Sequence, residues 1–182
     1  MTTIVAVQYD DKVLFAADNQ VTGDDGRIYH HPKMEKITER GDYLIAGSGE
    51  VGPCDIAQHI WIPPKPSPKD RQDVYHFMIV KVMPSLRKCL TENGYEFNEG
   101  KGDGKGDDSR FNFLIAVCGE VFDVADDCSI CMSDDGIYGV GSGSSYAIGA
   151  LHAGAKPLAA LKIAEKIDAN TSGPFLTKEQ CK

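Results

Sequence analysis

The chain has 182 residues, 42% apolar and 25% charged, which is the length and mix of one ordinary globular domain and too little for two full ones. Acidic residues outnumber basic ones 27 to 19, a net charge of −8, so the field that would hold a phosphate backbone or an anionic bilayer is missing. No stretch approaches the ~20 apolar residues that span a membrane, and Met-Thr-Thr-Ile-Val lacks the basic start of a secretory signal. Neither nucleic acid nor membrane is expected as a partner, and a cytoplasmic location is expected.

In chain order, the apolar runs Thr3 to Tyr9 and Lys12 to Ala17 flank Asp10-Asp11, the pattern of a β-hairpin. Both runs are nearly continuous rather than alternating, which predicts strands covered on both faces. Residues 21 to 33 hold Gly23, Asp24, Asp25, Gly26 and Pro32 and read as a turn-rich connection with one short strand around Arg27 to His31. Tyr43 to Ala46 reads as a strand running into Gly47-Ser48-Gly49.

A helix is predicted from Cys54 to Trp61, stopped by Pro63, Pro64, Pro66 and Pro68; the segment 62–69 is expected to be a mobile loop. Asp70 to Leu90 places Val74, Phe77, Met78, Val82, Leu86 and Leu90 on one helical face, with a kink expected at Pro84. The run Glu99 to Asp108 has no apolar residue, so a second mobile loop is expected at 99–109. Strands resume at Phe111 to Cys118 and Val121 to Val124, and a further strand pair is expected through Cys131 and Ile137 to Val140. Helices follow from Ser144 to Ala153 and after Pro157, the second burying Ala160, Ile163, Ala164 and Ile167. Helices therefore come in pairs between groups of strands, which points to antiparallel sheets between helical layers rather than a doubly wound parallel sheet.

Familiar catalytic motifs are missing. There is no P-loop, Gly139-Val140-Gly141-Ser142-Gly143 lacks the third glycine of a dinucleotide fingerprint, and Ser142 is not in a Gly-x-Ser-x-Gly elbow. Six cysteines are too scattered for a disulfide scaffold, and Cys128-x-x-Cys131 has no second ligand pair, so neither a metal nor a bound cofactor is expected. What remains is the start of the chain. If Met1 is trimmed, Thr2 carries a hydroxyl and a free α-amine on one residue, a nucleophile with its own base, the amine pKa being near ~8.

The residues Thr2-Thr3-Ile4-Val5, Ala17-Asp18-Asn19-Gln20-Val21-Thr22, Lys36-Ile37 followed by Ile45-Ala46-Gly47, and Gly141-Ser142-Gly143 with Tyr146-Ala147 occur in the order found in HslV-type peptidase subunits and proteasome β-subunits, which the chain resembles. The resemblance is dense over residues 2–49 and 137–168 and unspecific between. It implies a single domain over 1–182 with the α+β fold of N-terminal nucleophile hydrolases, a four-layer αββα sandwich. The implied activity is threonine-type hydrolysis of peptide bonds in polypeptide substrates, inside a self-compartmentalising homo-oligomeric ring, with stacked rings and an ATPase unfoldase as its implied partners.

Carried over residue by residue, the resemblance makes Thr2 the nucleophile, Lys36 the cation beside its amine and Asp18 the acid that orients that lysine. Lys33 is the competing lysine, and the aliphatic residue after Lys36 selects Lys36. Gly47 would supply a backbone N–H to the oxyanion, Ser142 and Asp168 would support the amine, with Thr171 or Ser172 as a further hydroxyl, and Gln20 and Val21 would line the substrate cleft. Three departures stand out: the Gln20 to Lys36 loop is long for the family, the Pro63 to Pro68 and Glu99 to Asp108 insertions are foreign to it, and the chain stops soon after Phe175, leaving little for closing strands. Rival functions are a catalytically silent ring that keeps Met1 and a hydrolase of non-peptide amides.

Overall fold

A computed structural model describes residues 2–23, 25–97 and 111–182; Met1 and the loop expected at 99–109 lie outside the described residues. The chain opens with β1 (Thr3–Gln8) and β2 (Lys12–Ala17), the expected hairpin, paired antiparallel from Ile4↔Ala17 to Gln8↔Val13. A small ribbon of β3 (Val21–Thr22) and β4 (Ile28–Tyr29) follows, then β5 (Ile37–Arg40) and β6 (Tyr43–Gly49). Helix α1 (Val51–Asp55) runs into a π-helical turn at Ile56–Ile60.

The next helical stretch is segmented: a 3-10 turn at Asp70–Gln72, α2 (Val74–Phe77), a π-helical turn at Met78–Val82, and α3 (Met83–Glu92). Pro84 falls in the first turn of α3, where its missing N–H is harmless, and the wide turn before it absorbs the ring that would clash in a regular helix. The predicted face is buried throughout, from Val74 to Leu90. The segment 62–69 is a loop as expected, but it is tied down: the Tyr43 hydroxyl donates to the Pro64 carbonyl at 2.6 Å and the Trp61 indole N–H to Ser85 Oγ at 3.0 Å.

Then come β7 (Phe111–Val117), β8 (Glu120–Val124), β9 (Ile130–Cys131), β10 (Ile137–Gly141), α4 (Ser144–His152), α5 (Pro157–Ala164) and β11 (Leu176–Cys181). One sheet has the order β10-β1-β2-β11 and the other β5-β6-β7-β8-β9. Three apolar layers separate four structural ones. Ile4, Ala6, Phe15 and Ala17 meet Leu44, Ala46, Leu114 and Ala116 between the sheets. The opposite faces of β1 and β2 present Val5 and Ala16 to Ala147, Ala160, Leu161 and Ala164 of α4 and α5, while Phe77, Met78, Leu86 and Leu90 cover the other sheet. The double coverage explains why the first two strands are apolar on both faces; each fully buried Phe or Leu contributes roughly 1.5–3 kcal/mol. The architecture is the expected α+β four-layer αββα sandwich.

Three expectations are corrected. β9 and β10 do not pair with each other: β9 extends the β8 edge and β10 pairs with β1 in the other sheet. The stripe of α5 begins at Pro157, so Pro157, Ala160, Leu161 and Ala164 are buried while Ile163 and Ile167 are 40% and 57% exposed. The residues after Phe175 do form a closing strand, β11, paired with β2 from Leu176↔Ala17 to Cys181↔Lys12.

Candidate active site

The start of β1 is where the distant parts of the chain converge. Asp18 follows the last residue of β2, and its Oδ1 accepts the Thr3 backbone N–H at 2.7 Å and the Lys36 ammonium at 2.7 Å. Its Oδ2 accepts the Gln20 N–H at 3.0 Å. Lys36 Nζ also donates to the Gln20 carbonyl at 2.5 Å, and Gln58 Nε2 donates to the Lys36 carbonyl at 2.8 Å, fixing the lysine's backbone. Both charged side chains are dry, at 7% exposure for Lys36 and 0% for Asp18. Burial lowers the Lys36 pKa below its ordinary value, against the pull of the Asp18 carboxylate.

A second group closes from the other side. Asp168, just past α5, accepts the Ser142 hydroxyl at 2.8 Å and the Thr171 hydroxyl at 2.6 Å on Oδ2. Thr171 has thereby committed its proton, so Thr3 Oγ1, 2.5 Å from Thr171 Oγ1, is the donor of that pair. Burial works to raise the Asp168 pKa, but the hydroxyls of Thr171 and Ser142 and the N–H of Asn170 outweigh it and hold the carboxyl below its ordinary value. Thr3 thus touches both groups, its N–H bound to Asp18 and its hydroxyl bound toward Asp168. The approach leaves no room at Gly143, where a Cβ would meet Thr3 Oγ1 and come within 2.6 Å of Thr171 Oγ1 and 2.9 Å of Asp168 Oδ2.

Between the two groups opens a cavity of about 1400 Å³ lined by Thr2, Lys36, Ser142, Val21 and the edge Gly47 to Gly49, with Met34, Val51 and Ile60 as apolar wall. That edge is free for a structural reason. Pairing of β6 with β5 stops at Ile37↔Ala46, whereas pairing with β7 continues to Gly49↔Phe111, so among the described residues the backbone from Gly47 to Gly49 has no strand on its cavity side. Gly47 itself must lack a side chain, since a Cβ would stand 2.6 Å from Cys54 Sγ and 3.1 Å from Phe113. A smaller hollow of about 370 Å³ beside Arg40 and Tyr43 holds none of these groups.

No family model and no curated protein sequence matches the chain. Solved structures do. BPH from Thiobacillus denitrificans is 24% identical over 97% of this chain and 96% of its own, with a TM-score of 0.73. HslV from Trypanosoma brucei is 17% identical over 97% and 98%, TM-score 0.63, and the Anbu complex of Pseudomonas aeruginosa 13% over 97% and 80%, TM-score 0.64. The fold is that of the proteasome β-like N-terminal nucleophile hydrolases.

In this nucleophile-hydrolase fold the residues singled out from sequence fall into three sets. Thr2, Lys36, Gly47, Ser142 and Val21 line the cavity. Asp18 and Asp168 are not on the cavity wall but accept hydrogen bonds from Lys36 and Ser142, which are. Gln20 departs from the cleft-lining expectation: it is 2% exposed, and its amide is bound to Ala169, Thr22 and Ser172 instead. Of the two lysines, Lys36 reaches Asp18, while Lys33 stays exposed at the rim. Of the two hydroxyls, Thr171 reaches Asp168. The structure adds Thr3 and Gln58 to the site; the Thr-Thr tandem is the sequence signal for Thr3, and Gln58 has none. Among the described residues no group of three or more His, Cys, Asp or Glu side chains is placed to hold a metal ion.

Proposed function

We propose that the chain is a threonine peptidase that acts once Thr2 is its first residue. Thr2 Oγ1 attacks the scissile carbonyl carbon as its proton passes to the Thr2 α-amine. The Lys36 cation beside that amine favours its neutral, basic form. Negative charge forming on the carbonyl oxygen meets the unpaired backbone edge at Gly47, whose N–H lies on the cavity wall. The ammonium then protonates the departing amine, leaving an ester on Thr2, and water hydrolyses that ester with the same amine as base. Ser142 and Asp168 orient the amine, and Thr3 holds the first peptide in place. An extended polypeptide fits between Val21 and the Gly47 to Gly49 edge, where it can add as a strand.

The observation that carries this reading is the convergence on Thr3 of a buried Lys36–Asp18 pair and the Asp168 hydroxyl network, beside a large cavity that Thr2 lines. The assembly we favour is a homo-oligomeric ring, stacked and served by an ATPase unfoldase, in the cytoplasm. The Pseudomonas aeruginosa Anbu structure is a helical assembly, and a BPH structure holds epoxomicin. Intact mass tests the first requirement, since loss of one methionine is expected. Epoxomicin should then add its mass at Thr2, and fluorogenic peptides should be cleaved. Thr2→Ala should abolish both reactions without unfolding the chain, because it removes only the attacking oxygen. Retention of Met1 in the purified protein, or full turnover by Thr2→Ala, rules the mechanism out.

A further inference from the structure

Gln20 reaches both of the groups that meet at Thr3. Its N–H binds Asp18 Oδ2 at 3.0 Å and its carbonyl takes the Lys36 ammonium at 2.5 Å. Its side chain turns the opposite way: Nε2 donates to the Ala169 carbonyl at 3.1 Å and to Thr22 Oγ1 at 3.0 Å, and Oε1 accepts the Ser172 hydroxyl at 2.7 Å. Ala169 and Ser172 bracket Thr171 on the turn that begins at Asp168. The neighbouring Asn19 N–H adds a bond to the Ser172 carbonyl at 3.2 Å. One residue therefore grips the lysine and its acid with its backbone and the carboxylate-bearing turn with its amide.

We infer that Gln20 is a positioning residue that sets the Asp168–Thr171 turn in register with the Lys36–Asp18 pair, so that both groups address Thr2 together. Thr3 already links the two groups directly; Gln20 adds a second link between them, and it too lies off the cavity wall. A buried amide with both its N–H groups and its oxygen engaged is a rigid tie, because releasing any one leaves a polar group unsatisfied. The inference rests on the peptidase reading for its kinetic consequence but not for its structural one.

The test compares wild type with Gln20→Leu, which keeps the backbone bonds and removes the amide, and with Ser172→Ala, which removes the partner of Oε1 together with a long contact to His30 at 3.5 Å and serves if the leucine variant does not fold. Rates are normalised to sites titrated by an N-terminal-threonine-directed electrophile. Loss of the tie should lower kcat roughly tenfold to a hundredfold, as small misplacements of catalytic groups do, with KM within about twofold because Gln20 does not line the cleft. The acid limb of the pH profile should move to higher pH as Asp168 loses its hold on Thr171, and Ser172→Ala should show the same changes in weaker form. Unchanged normalised kcat and pH profile overturn the inference, whatever happens to melting temperature. If wild type neither cleaves peptides nor takes label at Thr2, the peptidase reading fails by itself. The tie is then decided by hydrogen exchange at the Thr171 N–H, which binds the Asp168 carbonyl at 3.1 Å: faster exchange in Gln20→Leu supports it and unchanged exchange refutes it.

Discussion

The two groups that meet at Thr3 are built on different physics. The Lys36–Asp18 side is a charged pair taken out of water, with three donors on one carboxylate. The Asp168 side is a chain of hydroxyls on a half-exposed carboxylate, with Ser142 open to solvent. A dry ion pair is costly to break and insensitive to bulk conditions, whereas a hydroxyl network is cheap to alter and tunes a pKa by fractions. One side supplies a fixed cation and the other an adjustable polar setting, and the difference predicts how each should fail.

The largest effect is expected from Asp18→Ala. It leaves the Lys36 ammonium buried without its counter-charge and the Thr3 N–H without its acceptor, which should cost about 3–5 kcal/mol of stability. Asp168→Ala, at a wetter site, should cost about 1–3 kcal/mol. Urea unfolding of the two variants measures the contrast; equal losses would show that the Asp18 side is not the dry one.

The pH dependence separates the two sides further. Burial holds the Lys36 pKa below 10.5, so under the peptidase reading the cation is lost, and the rate with it, as pH rises through that lowered value. Asp18 opposes the lowering, and Asp18→Asn should therefore move the alkaline limb to still lower pH. A pH–rate profile of a fluorogenic peptide for both proteins checks the direction. An upward shift would mean that another group sets the limb.

These contrasts also show what a sequence can and cannot carry. The two-sided burial of β1 and β2 was legible because neither face has a polar position to spare, and the stripe from Val74 to Leu90 because one helical face is enough to define it. β5 reads Ile-Thr-Glu-Arg and β11 reads Leu-Thr-Lys-Glu-Gln-Cys; each sends one large apolar residue, Ile37 or Leu176, into the core contacts, too few to form a period. They are edge strands, whose polar sides face away from the core. In the site, Lys36 could be proposed because a motif surrounds it, and Asp168 because it is the carboxylate that follows the last helix. The burial of Gln20 could not, because two of its three amide partners lie 149 and 152 residues away and no local spacing encodes such contacts.

The smallest and sharpest difference should come from Ser142→Ala. The Ser142 hydroxyl is one of the donors that hold the Asp168 pKa below its ordinary value. A carboxylate stabilised in this way adds stability above the ordinary carboxylate range and loses it as pH falls through the lowered value. Removing one donor brings the Asp168 pKa back up, so acid unfolding and the acid limb of activity should both begin at higher pH. At neutral pH the loss should be only about 0.5–1.5 kcal/mol, since water can replace an exposed donor. The same substitution should leave the alkaline limb where it was, because Ser142 makes no contact with the Lys36–Asp18 pair. A variant that moved both limbs would mean that the two sides of the site are coupled through Thr3 as tightly as either is within itself.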